Sequence, residues 1–121
     1  MPASTPKPAS NRIDQRRRRY PRYQGEFLVN VSYLLGDRYQ DIEGHCKDIS
    51  EAGIGILLAT ELNGGEVAGL SFSLPGMDQP WQLRAVVRYR RGYHYGFEFL
   101  SLAIDQQAFL RRYLSGLQPV D

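Results

Sequence analysis

The 121 residues suffice for one domain with a single hydrophobic core, and 42% of them are hydrophobic. The lone cysteine, Cys46, excludes an intramolecular disulfide bond and fits a reducing compartment. Residues 1–11 lack the apolar stretch of a secretory signal, and no apolar run approaches a membrane span in length. We therefore expect a cytoplasmic protein.

The net charge of +2 conceals an uneven distribution. Residues 1–23 carry seven basic residues against one acidic residue, a net charge of +6. Residues 24–121 carry eight against twelve, a net charge of −4. A local arginine cluster implies an anionic partner, such as a nucleic acid, a membrane surface or a phosphorylated ligand.

Hydrophobic alternation predicts six short strands after a disordered leader at residues 1–11, which is rich in Pro, Ser and Ala. The strands are expected near residues 27–34, 38–48, 54–58, 68–74, 81–90 and 95–99. The apolar parity of the second strand is irregular, and a bulge near Lys47 would restore it. In the fifth strand, Trp81, Leu83, Ala85, Val87 and Tyr89 are predicted to share one face.

The periodicity then changes to that of a helix, with one apolar stripe formed by Leu110, Tyr113, Leu114 and Leu117. Asp105 is the predicted N-cap, and Gly116 with Pro119 fits the end of the helix. Six antiparallel strands followed by one helix predict an all-β fold, a small barrel with the helix packed against it.

The first segment that suggests chemistry is the run from Arg16 to Arg22. Guanidinium groups bind phosphate and the O6/N7 edge of guanine through paired hydrogen bonds. Pro21 disfavours helix at Tyr20, so an extended segment is expected. By itself, such a run more often forms a solvated basic arm.

The second segment runs from Asp48 to Gly53, between two strands. An ionised Asp48 can accept hydrogen bonds from N1–H and N2–H of guanine, and Ser50 can bind a ligand or brace the turn. Gly53 permits a backbone angle closed to other residues. The structural alternative is an ordinary turn in which the side chains bond their own backbone.

Considered together, the two segments indicate a guanine nucleotide site, because a hairpin over the 26 positions from Arg22 to Asp48 can bring them together. The sequence has no P-loop pattern, so it does not suggest GTP hydrolysis. His45, His94 and Cys46 do not form a metal-ligand pattern, and no residue set suggests a nucleophilic triad. We therefore predict no catalysis and no cofactor.

The pattern RxxxR at Arg18 to Arg22, followed by DxSxxG at Asp48 to Gly53, resembles the PilZ domain family. The stretches Val86-Val87-Arg88 and Tyr95-Gly96-Phe97-Glu98-Phe99 resemble it too, and the likeness runs from about residue 16 to about residue 114. The resemblance implies a six-stranded antiparallel barrel with a C-terminal α-helix. It also implies that cyclic di-GMP, a bacterial second messenger, binds outside the barrel.

Carried over position by position, the resemblance implies that Arg18 and Arg22 hold guanine and phosphates. Asp48 and Ser50 would read guanine edges, and Gly53 would shape the turn. Arg17 and Arg19 adjoin these positions, and Arg88 lies on the polar face of the fifth strand, where an arginine can stack on a base. The predicted ligand-binding set is therefore Arg17, Arg18, Arg19, Arg22, Asp48, Ser50, Gly53 and Arg88.

The resemblance also bears on organisation and stoichiometry. It implies one PilZ domain at residues 12–118, in which the Arg-rich segment 12–23 is flexible until the ligand folds it over the barrel. A basic residue just before RxxxR, here Arg17, is associated with a stacked pair of ligands, so we predict two cyclic di-GMP molecules per chain.

The leading hypothesis is a receptor that signals by conformational change to a downstream protein partner. One alternative is a ligand-blind PilZ-type adaptor that binds only proteins, although the intact motif positions argue against it. Another is a nucleic-acid-binding barrel with a basic arm, which the acidic body of the chain disfavours.

Overall fold

The computed structural model describes residues 20–120, which form seven strands and one helix. The elements are β1 (Arg22–Leu35), β2 (Arg38–Ile49), β3 (Gly53–Leu57), β4 (Val67–Phe72), β5 (Trp81–Arg91), β6 (His94–Phe99), α1 (Ile104–Ser115) and β7 (Pro119–Val120). The first six strands follow the order β2-β3-β6-β5-β4-β1, and pairing of β1 with β2 closes the barrel. The predicted antiparallel barrel with a C-terminal helix is confirmed. The short strand β7, which pairs with the start of β1, was not predicted.

The barrel interior is filled by alternate apolar residues of the strands. In β1, Val29, Val31 and Tyr33 are buried, while Leu28 and Leu34 are exposed on the opposite face. This alternation follows from the two-residue period of a strand and buries one apolar face of the sheet.

Helix α1 joins the same core through Leu110 and Leu114, which are both buried. Trp81 packs at the edge of this core, between the rings of Phe72 and Phe109, with centroid distances of 6.1 and 5.7 Å. The predicted helical stripe is confirmed. Within residues 20–120, no helix is long and apolar enough to cross a membrane.

The predicted start of the helix is wrong by two residues. The N-cap is Ala103, and its backbone N–H donates a hydrogen bond of 2.9 Å to the side-chain oxygen of Gln106. A reciprocal bond from the third helical residue thus replaces the side-chain cap expected from Asp105. Asp105 instead lies in the first turn, where its negative charge interacts favourably with the positive end of the helix dipole. The predicted end at Gly116 is confirmed.

Bulges interrupt three strands and change which way the following side chains point. One lies in β2 between Cys46 and Asp48, as predicted near Lys47, and another lies in β1 between Gln24 and Phe27. The third lies at Arg88 in β5. Val87 pairs with Phe97 and Tyr89 pairs with the adjacent Gly96, so β5 has one more residue than β6 at this point. The extra residue reverses the side-chain alternation, so Tyr89 lies on the outer face of the barrel. The prediction that Tyr89 shares a face with the buried Val87 is therefore wrong.

Candidate ligand-binding groove

A groove of about 1040 Å³ runs along the outside of the barrel, beside the turn between β2 and β3. It is bordered by the start of β1, by the ends of β5 and β6 and by α1. Its ionisable lining comprises Arg22, Asp48, Glu51, Arg88, Arg91, Glu98 and Arg111, besides Tyr20, Tyr89 and His94. Four guanidinium groups against three carboxylates leave this lining with a net charge of +1, counting His94 as neutral.

The ion pair between Arg22 and Asp48 lies at one end of the groove. Nη1 of Arg22 donates a hydrogen bond of 2.7 Å to Oδ1 of Asp48. The long β1–β2 hairpin brings them together because its register pairs Gln24 with Asp48. Both side chains are only partly exposed, at 23% and 17%, so water screens this pair less than it would screen an open surface pair.

Two aromatic side chains complete this end of the groove. Nη1 of Arg22 also donates to the hydroxyl of Tyr89 at 3.3 Å, and its guanidinium carbon lies 5.8 Å from the centre of the Tyr89 ring. The ring of His94 stacks on Tyr89 with centroids 5.9 Å apart, and its Nε2 lies 3.8 Å from Oδ2 of Asp48. One side chain from each of β1, β2, β5 and β6 therefore forms a single contact cluster.

Glycines provide the floor beneath this cluster. A Cβ atom on Gly96 would lie 2.1 Å from the Tyr89 ring, and one on Gly55 would lie 2.8 Å from a carboxylate oxygen of Asp48. Both distances are shorter than any tolerated non-bonded contact, so a side chain at either position would displace the cluster. The absence of a Cβ at these positions sets how closely Tyr89 and Asp48 approach the barrel.

Ser50 and Gly53 shape the turn between β2 and β3. The buried hydroxyl of Ser50 accepts hydrogen bonds from the N–H groups of Ala52 and Gly53, at 3.1 and 3.2 Å. Gly53 is needed for close approach, because a Cβ there would lie 2.1 Å from the carbonyl oxygen of Phe97. Gly53 is not among the glycines with a positive φ. It therefore does not use the backbone angle that only glycine readily adopts.

Two further ion pairs lie along the rest of the groove. Arg88 bonds to Glu98 across β5 and β6, and Nε of Arg111 on α1 donates to Glu51 at 2.9 Å. The hydrogen bond to Glu51 raises the pKa of Arg111, and the charge of the same carboxylate adds to this effect. Three groove arginines thus have a carboxylate partner from the protein itself.

The structure unites part of the predicted ligand-binding set. Arg22, Asp48, Gly53 and Arg88 line one groove, and Ser50 lies in its wall with its hydroxyl bonded into the turn. Arg17, Arg18 and Arg19 lie outside the described residues, as do the leader and most of the predicted segment 12–23. No group of three or more His, Cys, Asp and Glu side chains within residues 20–120 is arranged to hold a metal ion.

Sequence reasoning missed Tyr20, Tyr89, Arg91 and His94 as groove residues. The sequence predicts Tyr89 on the same face as Val87, because the bulge at Arg88 does not interrupt the alternation of apolar and polar residues. Gly96, which faces Tyr89 across the sheet, was the available signal, because glycine in a strand often marks close approach of another group.

The chain forms a small closed antiparallel barrel domain with an arginine- and carboxylate-lined groove on its outer face. The model of the PilZ domain family matches residues 16–116 of this sequence. The chain belongs to the PilZ domain family, as the sequence resemblance predicted.

Solved PilZ structures show the same fold at low sequence identity. The PilZ domain of YcgR from Escherichia coli, solved with cyclic di-GMP, is 22% identical, with a TM-score of 0.63 over 84% of this chain and 91% of that one. The PilZ domain of CeSA from a cellulose-synthesizing bacterium is 18% identical, with a TM-score of 0.59 over 78% of this chain and 95% of that one.

A third similar structure belongs to a longer protein. MotI, the inhibitor of motility of Bacillus subtilis, is 22% identical, with a TM-score of 0.66 over 81% of this chain. The match spans only 49% of MotI. A comparison with curated protein sequences gives no match.

Proposed function

We propose that this protein is a receptor for cyclic di-GMP and that the ligand binds in the groove on the outer face of the barrel. The observation that carries the proposal is the contact between Arg22 and Asp48, which unites the last residue of RxxxR with the first residue of DxSxxG. Family membership and the cyclic di-GMP in the similar YcgR structure support it.

The groove contains the chemical groups that a guanine dinucleotide requires. The guanidinium group of Arg22 suits a phosphate or the O6/N7 edge of guanine, and the Asp48 carboxylate suits its N1–H and N2–H groups. The stacked rings of Tyr89 and His94 offer an apolar face beside these charges. Ser50 contributes by fixing the turn that carries Asp48.

The Arg-rich segment supplies the remaining contacts in this proposal. Arg18 and Arg19 add guanine and phosphate contacts, and Arg17 favours a stacked pair of ligands. Two dianionic ligands would reduce the net charge of residues 1–23 from +6 to +2. A protein partner in the cytoplasm would then meet a surface of different charge and order, so the signal passes without catalysis.

The test is calorimetric titration of the full chain with cyclic di-GMP, together with Arg22→Ala and Asp48→Ala. Arg38→Ala is the matched control, because Arg38 is an exposed arginine at the opposite end of the hairpin. We expect binding by the wild type and by Arg38→Ala, with losses of roughly tenfold or more in the two groove variants. A stoichiometry of two ligands per chain supports the role of Arg17, and a value of one opposes it.

The ligand-blind adaptor is the second candidate. The observation that favours it is that Arg22 and Asp48 are hydrogen-bond partners of each other within the groove. Absence of cyclic di-GMP binding by the wild type at high ligand concentration would overturn the receptor proposal and favour this alternative. A nucleic-acid-binding barrel is a weaker candidate, because residues 24–121 carry a net charge of −4.

A further inference from the structure

Beyond the ion pair of Arg22 and Asp48, the groove contains two carboxylates that oppose its affinity for anions. Glu98 lies on β6 directly opposite Gly53, in the floor of the groove, and it bonds to Arg88. Glu51 follows Ser50 in the β2–β3 turn and bonds to Arg111 on α1. Each of these two acids neutralises a cation that borders the groove.

The two outer pairs differ from the Arg22–Asp48 pair in their exposure. The side chains of Arg88 and Glu98 are 58% and 48% exposed, and those of Arg111 and Glu51 are 63% and 30% exposed. Ion pairs open to water are weak and exchange their partners readily. An anionic ligand can therefore take Arg88 and Arg111 from their carboxylates more readily than it can take Arg22 from the less exposed Asp48.

A ligand that takes these arginines leaves Glu51 and Glu98 unpaired beside its own negative charge. Without the charges of Glu51 and Glu98, the ionisable lining of the groove would carry +3 instead of +1. The energy of like charges brought together subtracts from the binding energy, and salt screens that loss.

We propose that Glu51 and Glu98 are affinity-limiting residues, which hold Arg111 and Arg88 and so weaken the binding of an anionic nucleotide in the groove. This inference rests on the proposed function. It assigns Glu51 and Glu98 a role opposite to that of Asp48, although all three are carboxylates in the same groove. Loss of the charge at Asp48 weakens binding, whereas loss of the charge at Glu51 or Glu98 strengthens it.

The experiment is titration of the full chain with cyclic di-GMP at about 0.05 M and about 0.5 M salt, which spans strong to weak screening. The variants are Glu98→Gln, Glu51→Gln and their combination. The matched control is Glu43→Gln, which removes the same charge from an exposed position on β2 that does not line the groove.

We expect Glu98→Gln and Glu51→Gln each to tighten binding by roughly two- to fivefold at low salt, the range typical of one exposed charge pair. The combined variant should show the larger gain, and high salt should reduce every gain. In an Arg88→Gln background, Glu98→Gln should gain less, because Glu98 no longer withholds an arginine from the ligand.

Affinities of Glu98→Gln and Glu51→Gln equal to that of Glu43→Gln, with a wild type that binds, would overturn this inference and leave the proposed function standing. Failure of the wild type and of every variant to bind would overturn both.

Discussion

The ring of Tyr89 lies against the backbone of Gly96, in space that a side chain at position 96 would occupy. The bulge at Arg88 brings Tyr89 to the outer face, and the glycine lets the ring lie flat on β6 beside His94. The hydroxyl of Tyr89 then meets Arg22. A position without a side chain therefore determines where a candidate ligand-binding arginine is held.

We expect Gly96→Ala to destabilise the barrel by about 1–3 kcal/mol, the usual cost of forcing atoms into filled space, and to weaken ligand binding by moving Tyr89. Thermal unfolding and titration calorimetry measure the two effects. In a Tyr89→Ala background the stability cost should largely vanish, because the clashing ring is gone. Gly69→Ala in β4 is the control, since a Cβ there meets its nearest neighbour at an ordinary 3.7 Å.

The Ser50 hydroxyl supports the β2–β3 turn, and we expect Ser50→Ala to lower the free energy of unfolding by about 1–3 kcal/mol, because two N–H groups lose their acceptor. Ligand binding should weaken in the same variant, since the turn positions Asp48. Urea unfolding compared with the exposed control Ser73→Ala measures the stability effect. Equal midpoints for the two variants would assign Ser50 no structural role.

Cys46 should make stability depend on alkaline pH. Burial, followed by the nearby charge of Asp48, raises the pKa of this thiol far above its ordinary value. The folded chain therefore keeps the proton, while the unfolded chain releases it above about pH 8.5. Stability from this group is complete below that pH and falls by about 1.4 kcal/mol per pH unit above it.

The measurement for Cys46 is urea unfolding of the wild type and of Cys46→Ala between pH 7 and pH 10. The wild type should lose stability more steeply above pH 8.5, because the variant lacks the titrating group while other groups titrate in both. Parallel curves would contradict the expected role of the thiol. A thiol reagent should likewise react with Cys46 only as the chain unfolds.

Cyclic di-GMP should protect the Arg-rich segment from trypsin if that segment closes over the ligand. We expect slower cleavage after Arg16 to Arg22 in the presence of ligand, measured by mass spectrometry of the timed digest. Asp48→Ala at the same ligand concentration is the control, because its weakened groove should leave cleavage unchanged. Equal cleavage rates of the wild type with and without ligand would oppose ordering of this segment.

Most of the barrel was predictable because each strand buries one apolar face, so its hydrophobic residues recur at every second position. The proximity of Arg22 and Asp48 was predictable as well, since a hairpin between two strands returns the chain toward its start. The irregular parity of β2 even indicated the bulge near Lys47. These features depend on local patterns and on short connections.

Features that depend on tertiary contacts were not predictable. The bulge at Arg88 follows from pairing with β6, and the sequence of β5 reads as an unbroken strand through Tyr89. The helix start at Ala103 depends on a bond from Gln106, which competes with the more familiar cap expected from Asp105. Contacts of α1 with the β2–β3 turn, such as Arg111 with Glu51, join residues far apart in sequence.

Strand β7 pairs Val120 with Arg22 and Pro119 with Tyr23. The backbone at the C-terminal end of the described chain is thus hydrogen-bonded to the residue that holds Asp48. A reporter attached at Val120 would therefore lie beside the groove. For a biosensor, this places a fluorophore next to Arg22 with no linker needed to cross the barrel.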